Sequence, residues 1–311
     1  MSDEHNLSAH TTMVTPERAL STVHGRISGL AAGLWLGAAA VGIVGFFFAL
    51  RIDPERAWMT VWSNFLFWTA MAQAGIIFGA VLVVAKGHWG KPFRRVAEAT
   101  GAFLPFSLLV FAGMYYGASY IFPWMKPGFE GHINRTWLTH DGVFVRNGIL
   151  MAILFATSWW YLRLSLRPDA PLIASKQTGW RKSLLERISR GWRGDEEEAE
   201  RSRRTLSWLA PVLIGMWVLV FSFLSFDLTM SLMPSFMSVI WGALYFVGGW
   251  LCMLALVAFL SHRYKEHYSL EDVWGKWEYH DLGKLMFAFV IFWSYLWFSQ
   301  FLPIWYGNIG R

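Results

Sequence analysis

The chain has 311 residues, 55% of them hydrophobic and only 15% charged, with 20 Trp, 25 Phe and a formal net charge of +6. Soluble domains usually carry about a quarter charged residues, so this composition excludes an ordinary water-soluble globule. The positive balance does not point to nucleic acid either, because the cations follow alternate membrane-side loops.

Residues 1–26 are polar, with Asp3 and Glu4 near the start and no basic stretch leading into a short apolar core. The first apolar run, 27–50, is too long for a signal h-region and is expected to remain as a span. Further runs follow at 58–85, 99–122, 143–162, 207–230, 236–260 and 283–306. Runs of this length suit about 30 Å of hydrocarbon at about 1.5 Å per helical residue. The predicted fold is all-α: a polytopic transmembrane helix bundle of about seven spans. Its expected divisions are a cytoplasmic N-terminal segment (1–26), a first four-helix membrane group (27–162), a cytoplasmic loop with a surface helix (163–206) and the last three spans (207–311). Of the 27 Lys and Arg, 21 lie in the N-terminal segment, in the loops after spans two, four and six, or at Lys284. The other six are Arg51, Arg56, Lys126, Arg135, Arg146 and Arg311. This asymmetry predicts a cytoplasmic N-terminus and an external C-terminus.

Glycines recur at four-residue spacing in span one (Gly29, Gly33, Gly37), span two (Gly75, Gly79) and span three (Gly113, Gly117), a pattern that lets helix backbones approach closely. Asn64 and Gln73 in span two need internal partners, because lipid offers none. Pro92 stops any helix continuing from span two, and Arg94 and Arg95 suit the cytoplasmic headgroups. Glu98, one turn inside span three, is expected to serve either as a proton intake point or as the partner of Arg94 or Arg95. The outer segment around Pro123–Asp141 could cap the bundle or meet a partner. Arg146 lies just inside span four near the outer face, where Asp227 is the only acid another span delivers; an Arg146–Asp227 pair is expected. In the inner loop, Glu197/Arg201 and Glu200/Arg204 have helical i,i+4 spacing and predict a solvated helix on the cytoplasmic surface.

Redox and nucleotide chemistry find little support in the chain itself. The lone Cys252 excludes an internal disulfide, a thiolate metal site or an iron–sulfur cluster built by this chain alone. All nine histidines lie outside the spans or at their ends, so facing axial ligands for an intramembrane haem are missing. Glu266, His267, Glu278 and His280 cluster in sequence but match no strong metal-ligand spacing, and interfacial solvation accounts for them better. No phosphate-binding glycine fingerprint occurs.

Span seven holds the densest polar lettering. Asp281, Lys284, Ala288, Phe292, Tyr295 and Ser299 fall within about 60° on one helix stripe. Gln300 follows. Such groups are costly in hydrocarbon and should face protein or water. They are either headgroup-level charges with hydroxyls bonded to neighbouring helices, or a proton-conducting or ligand-facing path. Between Lys284 and Tyr295 the stripe has a gap of about 16 Å, which internal water or other spans would have to bridge.

Three segments resemble a known family: R-R-V-A-E-A at Arg94–Ala99 followed by Leu104–Pro105, F-D-L-T-M-S-L-M-P at Phe226–Pro234, and Y-H-D-L-G-K with F-S-Q-F-L-P-I-W-Y-G-N at the end. They look like the NrfD/polysulfide-reductase-like membrane subunits of alternative complex III, a quinol:electron-acceptor oxidoreductase. The resemblance runs over all seven spans, and its last segment is the most specific. It implies a multi-pass subunit in a bacterial cytoplasmic membrane that is not catalytic alone and binds no cofactor of its own. Haem c and iron–sulfur clusters would sit in partner subunits, beside a paralogous NrfD-like subunit, and quinone could touch this chain. It also implies a proton half-channel, for which the matching positions are Glu98, Asp227, Asp281, Lys284, Tyr295, Ser299 and Gln300. Family members continue with further spans, so the sequence is expected to be a part of such a protein or a short version of it. Met233 stands before Pro234 where the family carries an acid. An anchor for a polysulfide- or dimethyl-sulfoxide-reductase-like complex is the alternative, and a stand-alone transporter the more distant one.

Overall fold

A computed structural model describes residues 29–308 except 130, 132, 176, 193, 235, 267–269 and 271–273. The N-terminal segment and His267 therefore lie outside the described residues. Among the described residues there are helices and no strands. Seven helices are long and apolar enough to cross a membrane. They are α1 (Gly29–Ile52), α2 (Pro54–Val84), α3 (Lys91–Ile121), α4 (His140–Leu166), α5 (Asp195–Leu228), α6 (Trp241–Tyr264) and α7 (Lys276–Tyr306).

Local chemistry explains where they begin and end. Asp53 caps α2 by accepting the Arg56 N–H at 3.0 Å, and Pro54 occupies the first turn, where its missing donor costs nothing. Lys86, at φ +52°, turns the chain out of α2, and Pro92 opens α3 rather than breaking it. Thr139 caps α4 through the Gly142 N–H at 3.1 Å. Two short 3₁₀ stretches, Thr100–Phe103 and Tyr115–Gly117, interrupt α3.

α2 is the axis of the bundle. Of its most apolar window 72% is buried, against 0% for α1 and 6% for α7, which stand at the periphery. Indole and phenol donors tie neighbours to main-chain carbonyls: Trp62 to Leu228 at 3.1 Å, Tyr245 to Leu66 at 2.9 Å and Trp293 to Leu244 at 3.3 Å. In hydrocarbon such bonds satisfy polar groups that lipid cannot.

The inner loop differs from its sequence-based expectation. Residues 195–204 do not form a separate helix lying on the surface; they are the first three turns of the 34-residue α5. At about 50 Å that helix outlasts the hydrocarbon core by several turns. No glycine or proline interrupts it before Pro211, and Glu198 is fully buried against Arg167 at 2.6 Å. Of the expected pairs, Glu200 instead meets Arg203, one turn away at 3.2 Å. The exposed element of the loop is the short helix Trp180–Ile188, which buries nothing.

Candidate functional site

The inward face of α4 carries Asn147, Met151, Leu154, Ser158, Tyr161 and Ser165, all buried. Their alternating four- and three-residue steps keep them on one stripe, and the polar members of that stripe organise two buried clusters and a link.

The first cluster surrounds Glu98, whose side chain is 3% exposed. Arg94 donates from Nε to its Oε1 at 2.8 Å, Ser165 Oγ donates to the same oxygen at 2.7 Å, and Arg95 donates to Oε2 at 2.6 Å. Arg94 also donates to the Tyr161 hydroxyl at 3.1 Å and to Ser165 Oγ at 2.9 Å. Arg95 reaches on to Asp169 at 2.5 Å and the Ser165 carbonyl at 2.8 Å. Glu98 is therefore paired with both arginines rather than one. Those arginines point along α4 into the bundle end, not simply outward to headgroups.

One turn deeper on α4, Ser158 accepts from Gln73 Nε2 at 2.8 Å and can return its own proton to Gln73 Oε1 at 3.3 Å. One turn further along α2, Thr69 and Ser107 share a hydrogen bond of 2.5 Å, and both residues are fully buried. From Gly79, against Glu98, to Thr69 this line of hydroxyl and amide groups covers about 15 Å of α2. It stops there. Met151 and Leu154, both fully buried, fill the α4 face between Ser158 and Asn147.

The second cluster closes the opposite end. Asp227, 1% exposed, accepts from Arg146 Nε and Nη2 at 2.9 and 2.6 Å and from Asn147 Nδ2 at 2.7 Å on Oδ2. Trp137 donates to Oδ1 at 2.8 Å, and the Arg146 guanidinium lies 3.9 Å from its ring centroid. The pairing of Arg146 with Asp227 is thus direct, and the outer segment supplies the indole that completes it.

Span seven stands apart from both clusters. Asp281 and Lys284 pair at 3.3 Å with side chains 42% and 65% exposed, and Tyr295 is 61% exposed. The stripe therefore faces away from this chain's own helices, which do not supply the protein or water it is expected to meet. Ser299 is half-buried, and Gln300 accepts from Ser238 at 2.5 Å, which ties α7 to the α5–α6 connection. Asn64 also departs from expectation: it is exposed and bonds within its own helix, to the Thr60 carbonyl at 2.9 Å and from Trp68 at 3.3 Å. Gln73 has the interhelical partner that was expected for both. Among the described residues no group of three or more His, Cys, Asp or Glu side chains could hold a metal ion.

Tyr161, Ser158, Ser165, Thr69 and Ser107 carry the first cluster and its link without having been singled out in the sequence. The four polar members of the α4 face, read at 3–4 residue spacing, held that signal. No family model matches the chain, and no curated protein is similar to it.

Proposed function

We propose that the chain is an integral membrane subunit of a quinol-oxidising electron-transfer complex of the alternative complex III kind, where it serves as helix scaffold and as a proton half-channel. In this reading it sits in a bacterial cytoplasmic membrane with the N-terminus inside. Haem c and iron–sulfur centres belong to partner subunits, beside a paralogous NrfD-like subunit. The observation that carries the reading is the buried polar line from Glu98 to the Thr69–Ser107 pair. Ionisable groups buried inside a membrane bundle are expensive and rare, and they mark ion pathways and proton relays. The motif residues Arg94, Arg95 and Glu98 stand at its mouth.

The line offers a proton the carboxylate of Glu98, the hydroxyls of Ser165, Tyr161 and Ser158, and the amide of Gln73. Arg94 fixes the Tyr161 oxygen beside the carboxylate. Steps longer than a hydrogen bond would be bridged by water. Because Met151 and Leu154 block the α4 face beyond Ser158, the line serves half the membrane and a complete path would need a second protein surface. The exposed Asp281–Tyr295 stripe would be covered by such a partner.

Purification in mild detergent tests the reading. A multihaem cytochrome and an iron–sulfur subunit should co-purify with the chain, and Glu98→Gln should lower the proton-to-electron ratio of that complex. Co-purification with a molybdopterin reductase would favour the anchor reading, and transport by the chain alone would overturn both.

A further inference from the structure

Away from the polar line, α1 stands off from α2 and α3 and leaves a slot of about 1130 Å³ between them. It reaches from Ile52 and Arg56 at one end to Trp35 at the other, about 25 Å measured along α1. Its walls are Phe46, Phe65, Phe103 and Phe106, and α1 contributes Gly42 and Gly45, where an added Cβ would meet nothing within 4 Å. A groove of this size open along a span does not stay empty, because unopposed walls forfeit their dispersion contacts.

Between its two ends, the polar side chains of α2 and α3 along the slot are already committed. Thr60 donates to the Arg56 carbonyl at 2.8 Å, Asn64 to the Thr60 carbonyl, Trp68 to Asn64, and Ser107 is bonded to Thr69. The slot therefore asks for hydrocarbon along its length. Its mouth is different. The Arg56 side chain is exposed and has no ion-pair partner among the described residues, and Arg51 is exposed on the last turn of α1. Asp53, the one carboxylate lining the mouth, accepts the Arg56 backbone N–H. Because Asp53 takes the backbone N–H and not the guanidinium, the Arg56 cation stands without a counter-ion among the described residues at headgroup level, above an apolar slot.

We infer that this slot is a phospholipid site, with the phosphodiester on the Arg56 guanidinium and an acyl chain laid along Gly42 and Gly45. A guanidinium and a phosphate form charge-assisted bonds with matched geometry. A lipid there would cement α1, which buries little by itself, to the rest of the bundle. This inference does not depend on the proton half-channel.

The full chain is purified in mild detergent, washed with further detergent, and its bound phospholipid counted by native mass spectrometry. One phospholipid per chain should survive on the wild type. Arg56→Gln removes the charge, and Gly45→Leu, whose Cβ meets nothing within 4 Å, puts side-chain bulk into the slot; each should cut the retained fraction about tenfold or more. Thermal unfolding run alongside checks that both variants remain folded; if Arg56→Gln does not, Gly45→Leu carries the test alone. Wild-type protein that retains a prenyl quinone in place of phospholipid, or no amphiphile, overturns the inference. So does equal retention by the folded variants.

Discussion

Gly79 and Glu98 are in backbone-to-carboxylate contact: a Cβ at position 79 would lie 2.7 Å from Glu98 Oε1 and 3.0 Å from the Tyr161 hydroxyl. The missing side chain is what lets the carboxylate sit between α2 and α4 with both its oxygens bonded. Gly75, one turn away, leaves less room still: a Cβ there would lie even closer to Thr100 Oγ1 and to the Ala97 carbonyl oxygen. Gly79→Ala should therefore destabilise the bundle by about 1–3 kcal/mol through overpacking, outweighing the better helix propensity of alanine. Gly37→Ala, whose Cβ meets nothing within 4 Å, should be neutral or slightly stabilising. Thermal unfolding in detergent compares the two, and equal stability would remove the close approach from the account.

Among the described residues, Asp227 is the only acceptor for the side chain of Arg146 apart from the Trp137 carbonyl at 3.4 Å. Asp227→Leu should leave that guanidinium partly buried without a counter-charge and cost about 3–5 kcal/mol. The double variant Arg146→Met/Asp227→Leu should recover most of the loss, because well-packed apolar groups can replace a buried pair. A double-mutant cycle in unfolding free energy reads the coupling. Additive losses would mean the two residues act independently.

Arg167 holds the start of α5 to the end of α4 through both oxygens of Glu198, at 2.6 and 3.1 Å, and also donates to the Arg190 and Gly191 carbonyls. The intervening loop carries exposed trypsin sites at Arg181, Lys182, Arg187 and Arg190. Glu198→Gln should loosen this tether, and tryptic cleavage in the loop should accelerate while the transmembrane core survives. Unchanged cleavage would show that the loop is held by other contacts.

The spans and the charged members of the two end clusters were legible because hydrocarbon imposes strict rules on length and charge. Arg146 and Asp227 had to find each other, as few other charges reach that end. What the sequence left hidden was direction. Gly29, Gly33 and Gly37 carry the same spacing as Gly75 and Gly79, yet the first three touch nothing and the second two are packed against α3. A helical stripe shows which residues share a face, not which way the face turns. The α7 polar stripe turns away from this chain's other helices, whereas α4, with its mixture of Ser, Tyr, Asn and apolar residues, presents the buried one.

The link that runs inward from the Glu98 cluster rests on Gln73, whose amide is fully buried and bonded to Ser158 from both ends. Gln73→Leu removes the bridging group while keeping a side chain of similar bulk. It also strands the Ser158 hydroxyl, which can turn to a main-chain carbonyl of its own helix as Ser63 and Ser222 do. The stability cost should therefore stay near about 1 kcal/mol. If the buried line conducts protons, the assembled complex should keep its quinol oxidation with an artificial electron acceptor while proton uptake per electron falls. Ser158→Ala together with Gln73→Leu should do no more than Gln73→Leu alone, because both interrupt one link. Glu98→Gln should lower the same ratio from the mouth of the line. A full ratio in the Gln73→Leu complex, with assembly intact, would confine Gln73 and Ser158 to helix packing and leave the half-channel without a route past Tyr161.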